Sequence, residues 1–442
     1  MFRELCAPIS VNWEVTANCN LNCVHCYNYW RQDPIGEKPS RVSRLSLFEQ
    51  TCEQIITNDV FSVTITGGEP LLVFSDALPF MLALMENNIH VTINSNLSLL
   101  TEETADKIAV LGIPLLTSLS SANAEANNKI TNSVDSSSLI VNGIKKAIAR
   151  GIPISVNMVV SRVNIDDIYD TAALVHSLGV RSFSATPACK PLSCEDFTDY
   201  ALEQSDLPRL TSQLLDAESH FGLRVDTLLP YPLCSHPLSS GSFSLTNGRS
   251  CSAGKTNCTI GYDGGIRACL HSEKTYGHIN DGIRAAWNLM TEWRNDSLLP
   301  VVCAPCKLKD KCAGGCRLSA YSNYGSMSAI DPMFVEPITN LDTTAAFSES
   351  SSTSSNQKIG NNRYIFRKSL KLRKEEFGGI LYAEGKSIPV SHNLFRFINN
   401  NTKASASFAI DDISNALGVD ANEVTSTINV LFSSNAIAAY PS

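Results

Sequence analysis

The sequence lacks any apolar run long enough to cross a membrane. No hydrophobic stretch approaches the roughly 20 residues that a membrane-spanning helix needs, and the first residues lack the apolar run of a secretory signal. A positive net charge is also absent, since the formal charge is -8 at pH 7. This acidic balance argues against a nucleic-acid surface that covers much of the protein. We therefore expect a cytosolic protein whose main partner is neither a membrane nor a nucleic acid.

Cysteine, by contrast, is abundant, with 15 residues in a chain of 442. In a reducing compartment such thiols are more often metal ligands or catalytic groups than disulfides. Three of them, Cys19, Cys23 and Cys26, fall within eight positions. They follow a segment whose apolar side chains alternate, a pattern that predicts a strand with one buried face. The three thiols are therefore expected on a loop that leaves a strand.

Three thiolates on one loop can bind three irons of a 4Fe–4S cluster and leave the fourth iron without a protein ligand. A substrate or a cofactor can then bind to that open iron. The residues alone leave two alternatives, which are a zinc site with a fourth ligand from elsewhere and a set of three ordinary buried thiols.

The spacing C-x3-C-x2-C behind a first strand, with the aromatic His25 before the last cysteine, resembles the radical S-adenosylmethionine (SAM) enzymes. The resemblance implies that Cys19, Cys23 and Cys26 hold a 4Fe–4S cluster whose open iron binds the amino and carboxylate groups of SAM. It also implies that an electron from this cluster, delivered by a donor such as flavodoxin or ferredoxin, cleaves SAM to a 5′-deoxyadenosyl radical.

A second motif, Gly67-Gly68-Glu69-Pro70, follows another β-rich segment. The two glycines allow backbone N–H groups to approach a ligand closely, and Glu69 offers an acceptor for an ammonium group. Taken alone, the four residues could be merely a turn. Behind the three cysteines, they resemble the family motif that contacts the amino group of SAM.

Six predicted strands up to residue 185 alternate with helices, which indicates parallel βαβ units. This α/β pattern fits the partial (β/α)6 barrel of the family, in which ligands gather at the carboxyl ends of the strands. By this resemblance Ser120, Asn157 and Ser161 would contact SAM. Cys189 and Cys194 follow the sixth strand and are candidates for thiols that face the substrate, with a structural role as the alternative.

A second field of seven cysteines spans 66 residues: Cys251, Cys258, Cys269, Cys303, Cys306, Cys312 and Cys316. Spacing alone does not separate zinc from iron–sulfur sites. The pattern resembles the SPASM extension of radical SAM enzymes, which commonly carries two auxiliary 4Fe–4S clusters. The resemblance assigns to the first cluster Cys251, Cys258, Cys269 and Cys316, and to the second Cys303, Cys306 and Cys312.

The last cysteine of that pattern is missing. Where the family has it, behind Asp331, this chain has Phe334, and phenylalanine cannot ligate iron. The second cluster could keep an open iron, recruit Asp331 or the unassigned Cys234, or be absent. The sequence favours a cluster held by three cysteines with an undefined fourth ligand.

The C-terminal part begins with a Ser-rich run that is too polar to bury apolar area, so residues 336–360 are predicted to be a flexible linker. Residues 361–442 then read as a β-ribbon followed by three short helices, a winged-helix-like α+β module. The layout resembles PqqD-like domains, which recognise precursor peptides of ribosomally made natural products by adding the leader peptide to a sheet edge. An unrelated winged-helix module that binds nucleic acid is the alternative. The basic residues that would suit an acidic leader are Arg363, Arg367, Lys368, Lys371, Arg373 and Lys374.

These patterns predict five parts: a radical SAM barrel (1–195), a connection (196–250), a SPASM domain (251–335), the linker (336–360) and the recognition module (361–442). The predicted function is that of a radical SAM peptide maturase, which takes hydrogen from a ribosomally synthesised precursor peptide and installs a thioether or carbon–carbon crosslink. Two alternatives belong to other classes. One is a sulfatase-maturase-like enzyme that oxidises a Cys or Ser, and the other is a zinc- or cluster-bearing winged-helix regulator.

Overall fold

The computed structural model describes residues 4–28, 40–236, 241, 245, 249–340, 363–404 and 406–440. At its centre lies a ten-stranded sheet. Its strands are β1 Ser10–Thr16, β2 Ser62–Gly67, β3 His90–Asn94, β4 Leu115–Ser118, β5 Ile154–Val160, β6 Ser182–Pro187, β7 Arg224–Asp226, β8 Asn257–Ile260, β9 Gly265–Arg267 and β10 Thr275–His278. Their order across the sheet is β10-β9-β8-β1-β2-β3-β4-β5-β6-β7.

Helices connect strands β1 to β7, and others follow β10. In this part of the described chain they are α1 Arg41–Thr57, α2 Phe74–Glu86, α3 Glu102–Leu111, α4 Ala124–Thr131, α5 Ser136–Ala149, α6 Ile168–Ser177, α7 Leu207–Phe221, α8 Ile283–Asn288, α9 Lys309–Cys312 and α10 Arg317–Tyr324. Strands β1 to β7 pair in parallel in chain order, β8 adds to β1 in parallel, and β9 and β10 continue the sheet antiparallel. The carboxyl ends of β1 to β7 therefore share one edge.

The predicted α/β architecture is confirmed, because each of the six predicted strands is present as β1 to β6. The sequence did not predict β7 in the connection, nor β8 to β10 in the cysteine field. These strands are only three or four residues long, which leaves too few positions for an alternating pattern to show. They make the connection and the cysteine field continuous with the barrel sheet.

Local sequence explains the elements that were predicted well. Helix α3 begins where the Thr101 hydroxyl accepts a hydrogen bond from the Thr104 N–H, and ends at Gly112 with φ of 65°. Along β5 the side chains alternate between buried and half-buried over all seven residues. Apolar side chains between the sheet and the helices form the main core.

Residues 363–404 and 406–440 form the C-terminal module, which has a core of its own. Its elements are β11 Tyr364–Phe366, β12 Lys371–Glu375, β13 Gly378–Ala383, β14 Lys386–Val390, α11 His392–Ala404, α12 Ile410–Leu417, α13 Ala421–Ser433 and β15 Ile437–Ala439. Strands β12, β13 and β14 form an antiparallel sheet, while β11 pairs with β15. The three predicted helices are thus found, whereas the predicted strand 364–373 is divided between β11 and β12, which belong to different sheets.

The module packs against the barrel through β12. The buried Arg373 side chain donates to the carbonyl oxygens of Ala7 and Pro8, at 2.8 Å each. The backbone N–H of Cys6 donates to the Glu375 carboxylate at 2.8 Å, and that carboxylate also pairs with Arg373. These partners precede β1, so the module lies at the amino end of the barrel strands.

An aromatic contact reinforces this packing. The ring of Tyr382 on β13 stacks on Phe61, which directly precedes β2, with 5.0 Å between the ring centroids. Ile380 and Tyr382 both belong to the main core of the barrel. The module is therefore attached by buried apolar and polar contacts rather than by the linker alone.

Within the described residues, no helix is both long enough and apolar enough to cross a membrane. Most of the predicted linker, residues 341–360, lies outside the described residues.

Candidate functional site

The loop after β1 carries Cys19, Cys23 and Cys26, all half-buried, and we call residues 19–26 the cysteine loop. The Leu21 N–H donates to the Cys19 Sγ at 3.4 Å, and the Asn96 side-chain amide approaches the same sulfur at 3.9 Å. Donors that point at a sulfur stabilise its thiolate form, which is the form that ligates iron. The loop thus has the donor chemistry of an iron–sulfur site.

The turn Gly67–Pro70 packs directly on the start of the cysteine loop. The Gly68 N–H donates to the Thr16 carbonyl and the Glu69 N–H to the Asn18 carbonyl, both at 2.7 Å. A Cβ on Gly68 would lie 2.0 Å from the Asn18 oxygen, so only glycine fits. The glycines therefore allow two backbone segments to meet, and these N–H groups are directed at the chain rather than at a ligand, in contrast to the prediction.

The Glu69 carboxylate is buried and held in one orientation. Its Oε1 accepts from the Leu71 N–H at 2.9 Å and from the Ser95 hydroxyl at 2.7 Å, and its Oε2 accepts from the Asn96 N–H at 2.9 Å. Burial raises the pKa of Glu69, against the opposing effect of these donors. Because a carboxylate oxygen can accept two hydrogen bonds, Oε2 retains capacity for a further donor such as an ammonium group.

Ser120 and Ser161 share a buried polar network through Asn164, and Asn157 makes a separate polar contact. The Asn164 Oδ1 accepts from the backbone N–H and the hydroxyl of Ser161, at 2.7 and 3.1 Å, and its Nδ2 donates to the Ser120 carbonyl at 2.6 Å. The Asn157 Oδ1 accepts from the Thr186 hydroxyl at 2.8 Å. The structure thus gives these three residues a role in shaping the strand ends, and their contact with SAM stays a prediction.

A buried ion pair that the sequence did not reveal joins β1 to β9. The carboxylate of Glu14 pairs with the guanidinium of Arg267, and both side chains are at most 3% exposed. Arg267 also donates to the Ser272 carbonyl at 2.9 Å. Burial raises the pKa of Glu14 to about 7, although Arg267 acts in the opposite direction. No local pattern could have shown the pair, because its members are 253 positions apart.

An aromatic contact also joins the region of the cysteine loop to the second cysteine field. The rings of Tyr27, next to the cysteine loop, and His271, two positions after Cys269, stack with centroids 5.0 Å apart. The Tyr27 hydroxyl lies 3.4 Å from that of Thr66. Tyr27, which follows the cysteine loop, therefore contacts both the end of β2 and the second cysteine field.

Four sulfurs lie together beyond this contact, and we call Cys189, Cys251, Cys269 and Cys316 the first sulfur group. The Cys189 thiol donates to the Cys316 sulfur, which raises the pKa of Cys189 and lowers that of Cys316. Burial and then the charge of Cys316 raise the pKa of Cys251. Burial and then the charge of Cys251 raise the pKa of Cys269 to about 12. Cys189 thus lies among the cysteines that were predicted to hold the first auxiliary cluster.

Cys258, which was predicted for that same cluster, lies elsewhere. It is fully buried on β8 in the main core, opposite Val11 of β1. Burial alone raises the pKa of Cys258 to about 12, without any contribution from another sulfur. Cys194 is also separate: its thiol donates to the Asp196 carbonyl at 2.9 Å in an exposed turn. Neither cysteine is brought into a sulfur group.

A second set of sulfurs lines one cavity, and we call Cys234, Cys303, Cys306 and Cys312 the second sulfur group. Burial, followed by the charges of Cys312, Cys306 and Cys234, raises the pKa of Cys303 to about 11. Within the described chain, no three His, Cys, Asp or Glu side chains converge as the ligands of a single metal ion would.

Comparison with known proteins identifies the domain that carries the cysteine loop. Residues 13–175 match the Radical SAM superfamily. The mycofactocin maturase MftC of Mycolicibacterium smegmatis is 28% identical over 350 residues, which cover 76% of this chain and 84% of that protein. The AdoMet-dependent heme synthase of Methanosarcina barkeri is 24% identical over 347 residues, which cover 74% of this chain and 96% of that protein.

The same fold is found among solved structures. The crystal structure of Streptococcus suis SuiB bound to the precursor peptide SuiA matches with a TM-score of 0.61 at 20% identity, over 74% of this chain and 75% of that one. At this level of identity the match concerns the fold, and it supports the barrel architecture described above.

Proposed function

We propose that this chain, whose residues 13–175 form a radical SAM domain, is a peptide maturase that removes hydrogen from a ribosomally synthesised precursor peptide and installs a thioether or carbon–carbon crosslink. Proteins of this family are enzymes that bind SAM and a 4Fe–4S cluster. One observation carries the proposal: the cysteine loop and the turn Gly67–Pro70 are built as a unit at the carboxyl edge of the sheet, in contact with the second cysteine field.

The relatives support a peptide as the substrate. One of them is named a maturase, and SuiB was solved with a precursor peptide. Another relative of similar identity is named a heme synthase. The experiment for the proposed function must therefore follow the peptide itself as well as the cleavage of SAM.

In this proposal Cys19, Cys23 and Cys26 hold the SAM-binding cluster, since their half-buried sulfurs are reachable and Cys19 already receives N–H donors. When bound, the cluster and SAM supply a 5′-deoxyadenosyl radical that can take a hydrogen atom from the peptide. Glu69 orients the amino group of SAM through the carboxylate that Ser95 and Asn96 hold in place. Ser120, Asn157 and Ser161 shape the remaining wall of the SAM site.

The two sulfur groups are proposed as sites for auxiliary 4Fe–4S clusters. Cys251, Cys269 and Cys316 keep their predicted place in the first, and Cys189 replaces Cys258 as its fourth sulfur. Cys303, Cys306 and Cys312 belong to the second. The thiols are the donors that such clusters require, and the first group adjoins the contact between Tyr27 and His271.

The C-terminal module is proposed to bind the leader of the precursor. Strand β14 pairs with β13 on one side and is mostly exposed, so it is the sheet edge at which a peptide strand could add. The module lies at the amino end of β1, and the seven residues of that strand separate it from the cysteine loop by roughly 20 Å at about 3.3 Å per residue. A leader bound there must span at least this distance.

Not all of the basic residues predicted for the leader remain available. Arg373 is buried in the contact with the barrel, and Lys371 lies over the Phe61 ring at 6.0 Å. Arg367, Lys368 and Lys374 are exposed. We propose that these three attract an acidic leader, in a cytosolic enzyme that receives its electron from flavodoxin or ferredoxin.

The decisive experiment supplies anaerobically reconstituted protein with SAM, a reductant and the short peptide encoded next to its gene. We expect release of 5′-deoxyadenosine and a peptide that is lighter by two hydrogen atoms. Cys23→Ala abolishes both, whereas Cys6→Ser, which changes a thiol at the amino end of the barrel, preserves both. Deoxyadenosine release that persists in Cys23→Ala contradicts the radical SAM site. Release without any change in the peptide contradicts only the maturase.

The leader-binding role has a separate test. Deleting residues 363–442 would uncover Phe61 and part of the main core, so a charge reversal is the cleaner variant. Arg367→Glu combined with Lys368→Glu should weaken leader binding several-fold, because each exposed charge contributes about 0.2–1 kcal/mol. Fluorescence anisotropy of a labelled leader measures this change. Equal affinity in the variant and the parent would refute a role for these charges.

A further inference from the structure

We propose that Cys234 is the fourth protein ligand of the second auxiliary iron–sulfur cluster, in place of the cysteine that the SPASM pattern expects at Phe334. The inference rests on the proposed function for the presence of an auxiliary cluster. Which residue completes the ligand set is a separate question, and the geometry of the second sulfur group answers it.

The cavity is the first observation. Four thiols, those of the second sulfur group, line one cavity that is partly open to solvent. The three that the motif assigns come from residues 303–312, and Cys234 comes from the turn after β7. Cys303 is influenced by the charges of all three other sulfurs. Cys234 is therefore a member of the group rather than a neighbouring thiol.

Hydrogen bonds to sulfur are the second observation. Burial raises the pKa of Cys234, and the nearby backbone N–H groups of Val335 and Glu336 act in the opposite direction. The Cys312 sulfur accepts from the backbone N–H of Leu233 at 3.4 Å. Such donors stabilise thiolates and are among the features that tune iron–sulfur clusters. Cys234 thus has the same kind of surroundings as Cys312, a ligand that the motif assigns.

The backbone around the cavity holds these segments together. The Lys307 N–H donates to the Ile338 carbonyl at 2.8 Å, and the Ser235 N–H donates to the Pro232 carbonyl at 2.9 Å. The first bond ties the segment after Phe334 to the cysteines at 303–312, and the second closes the turn that carries Cys234. The position of Cys234 is therefore fixed by its own turn and by both neighbouring segments.

Asp331, the other candidate for the fourth ligand, is engaged elsewhere. Its Oδ2 accepts from the Cys316 N–H at 2.7 Å and its Oδ1 from the Met333 N–H at 2.8 Å. Its charge acts on Cys189 and Cys316, which are members of the first sulfur group. Asp331 is thus directed away from the cavity of the second group.

Phe334 occupies the position at which the family carries its last cysteine ligand. Its side chain lines the same cavity as Cys234, so the position at which the family carries its last cysteine still faces the site. In this chain an aromatic ring occupies that wall, and a thiol enters from a different turn. Positions 234 and 334 are thus two alternative places in the chain from which a thiol could ligate the same cluster.

The first experiment uses a parent variant in which Cys19, Cys23 and Cys26 are alanine, so that iron reports the auxiliary sites alone. With two filled clusters the parent should hold about 8 irons per chain. Cys234→Ala should lose iron toward about 4 per chain or change the electron paramagnetic resonance spectrum and midpoint potential of one cluster. Cys306→Ala should show the same effect, and Cys6→Ser should match the parent. Iron, spectrum and potential that all match the parent in Cys234→Ala overturn the proposal.

A compensating variant separates loss of a ligand from loss of the fold. Adding Phe334→Cys to Cys234→Ala returns a thiol to the same cavity and should restore the iron and the spectrum. Restoration supports the proposal even where the single variant is poorly stable. Zinc in place of iron in the parent would overturn it.

Thiol labelling tests the unmutated protein. Cys234 should resist alkylation when the clusters are present and react once they have been removed by acid and chelator. Cys6, also half-buried but distant from the sulfur groups, should react equally in both states. Labelling of Cys234 in the cluster-loaded protein contradicts the assignment. The proposed function is tested by the release of 5′-deoxyadenosine and by the mass of the peptide. The assignment of Cys234 as a ligand is tested by iron content, spectrum and labelling, so each of the two proposals can fail without the other.

Discussion

The cysteine loop and the second sulfur group both bring several thiols together, but they do so in opposite ways. The loop places Cys19, Cys23 and Cys26 within eight positions of one another. The second group joins Cys234 to a later segment, and the contact from Leu233 to Cys312 spans 79 positions. A short motif can record the first arrangement, whereas only the folded chain brings the second together.

A buried pair, Glu14 with Arg267, joins β1, the strand before the cysteine loop, to β9 in the second cysteine field. Arg267→Met should lower the free energy of unfolding by about 3–5 kcal/mol, because it leaves the Glu14 carboxylate buried without its charge partner. Glu14→Gln should cost less, since the amide oxygen can still accept from Arg267. Urea unfolding followed by tryptophan fluorescence measures both changes.

Arg150→Met is the matched control for this prediction. Arg150 pairs with Glu102 and Asp106, two carboxylates that are mostly exposed, and such surface pairs contribute about 0–1 kcal/mol. A loss for Arg267→Met that is no larger than the loss for Arg150→Met would show that the buried pair stabilises the fold no more than a surface pair does.

The sequence predicted those helices and strands whose pattern of apolar and capping residues lies within a single segment. Periodicity predicts helices at 102–111 and 410–417 and strands at 90–94 and 154–160, and the structure has α3, α12, β3 and β5 at these bounds. Strands β1, β2, β4 and β6 are also found, but β2 begins two residues after the predicted Val60 and β6 ends two residues after the predicted Ala185. Helix α2 was not predicted, and Pro79 within it interrupts the helical signal. The docking of the C-terminal module could not be predicted either. Arg373 contacts its partners Ala7 and Pro8 across more than 360 positions of sequence, so no local pattern records the contact.

The contact between the turn Gly67–Pro70 and the segment that leads into the cysteine loop can be tested at Gly68. A Cβ there would lie 2.0 Å from the Asn18 carbonyl oxygen, so Gly68→Ala must push the turn and the cysteine loop apart by about 1 Å. A displacement of that size in a reacting geometry lowers rates by about 100-fold. We expect this decrease in the rate of 5′-deoxyadenosine release, measured with saturating SAM and reductant.

Gly151→Ala is the control for the glycine. Gly151, unlike Gly68, has a positive φ, of 69°, and nothing lies within 4 Å of its added Cβ. This variant should lose only about 1 kcal/mol of stability from backbone strain and keep the parent rate. If Gly68→Ala keeps the parent rate as well, the close approach of turn and loop is not needed for SAM cleavage.

The site shows the same division between local and distant information. The motif located seven cysteines of the second field, yet it placed Cys258 with the first cluster and gave Cys189 no partner. Cys258 lies near Cys251 in sequence, but the alternation of β8 turns its side chain into the core. Cys189 follows β6 and lies close to Cys316, which belongs to a much later segment of the chain.

Substitutions of Cys258 and Cys189 test whether the fold or the sequence spacing identifies the ligands of the first auxiliary cluster. Their expected effects are the smallest of those described. Cys258→Ala should lose only about 1 kcal/mol of unfolding free energy, the value of a small apolar group removed from the core, and should keep the full auxiliary iron. Cys189→Ala should alter the iron content or the spectrum of one auxiliary cluster. Both variants are made in the parent that lacks the three loop cysteines, with iron analysis and electron paramagnetic resonance as the measurements. The reverse result, with iron lost in Cys258→Ala and kept in Cys189→Ala, would show that sequence proximity predicts the first ligand set better than the fold does.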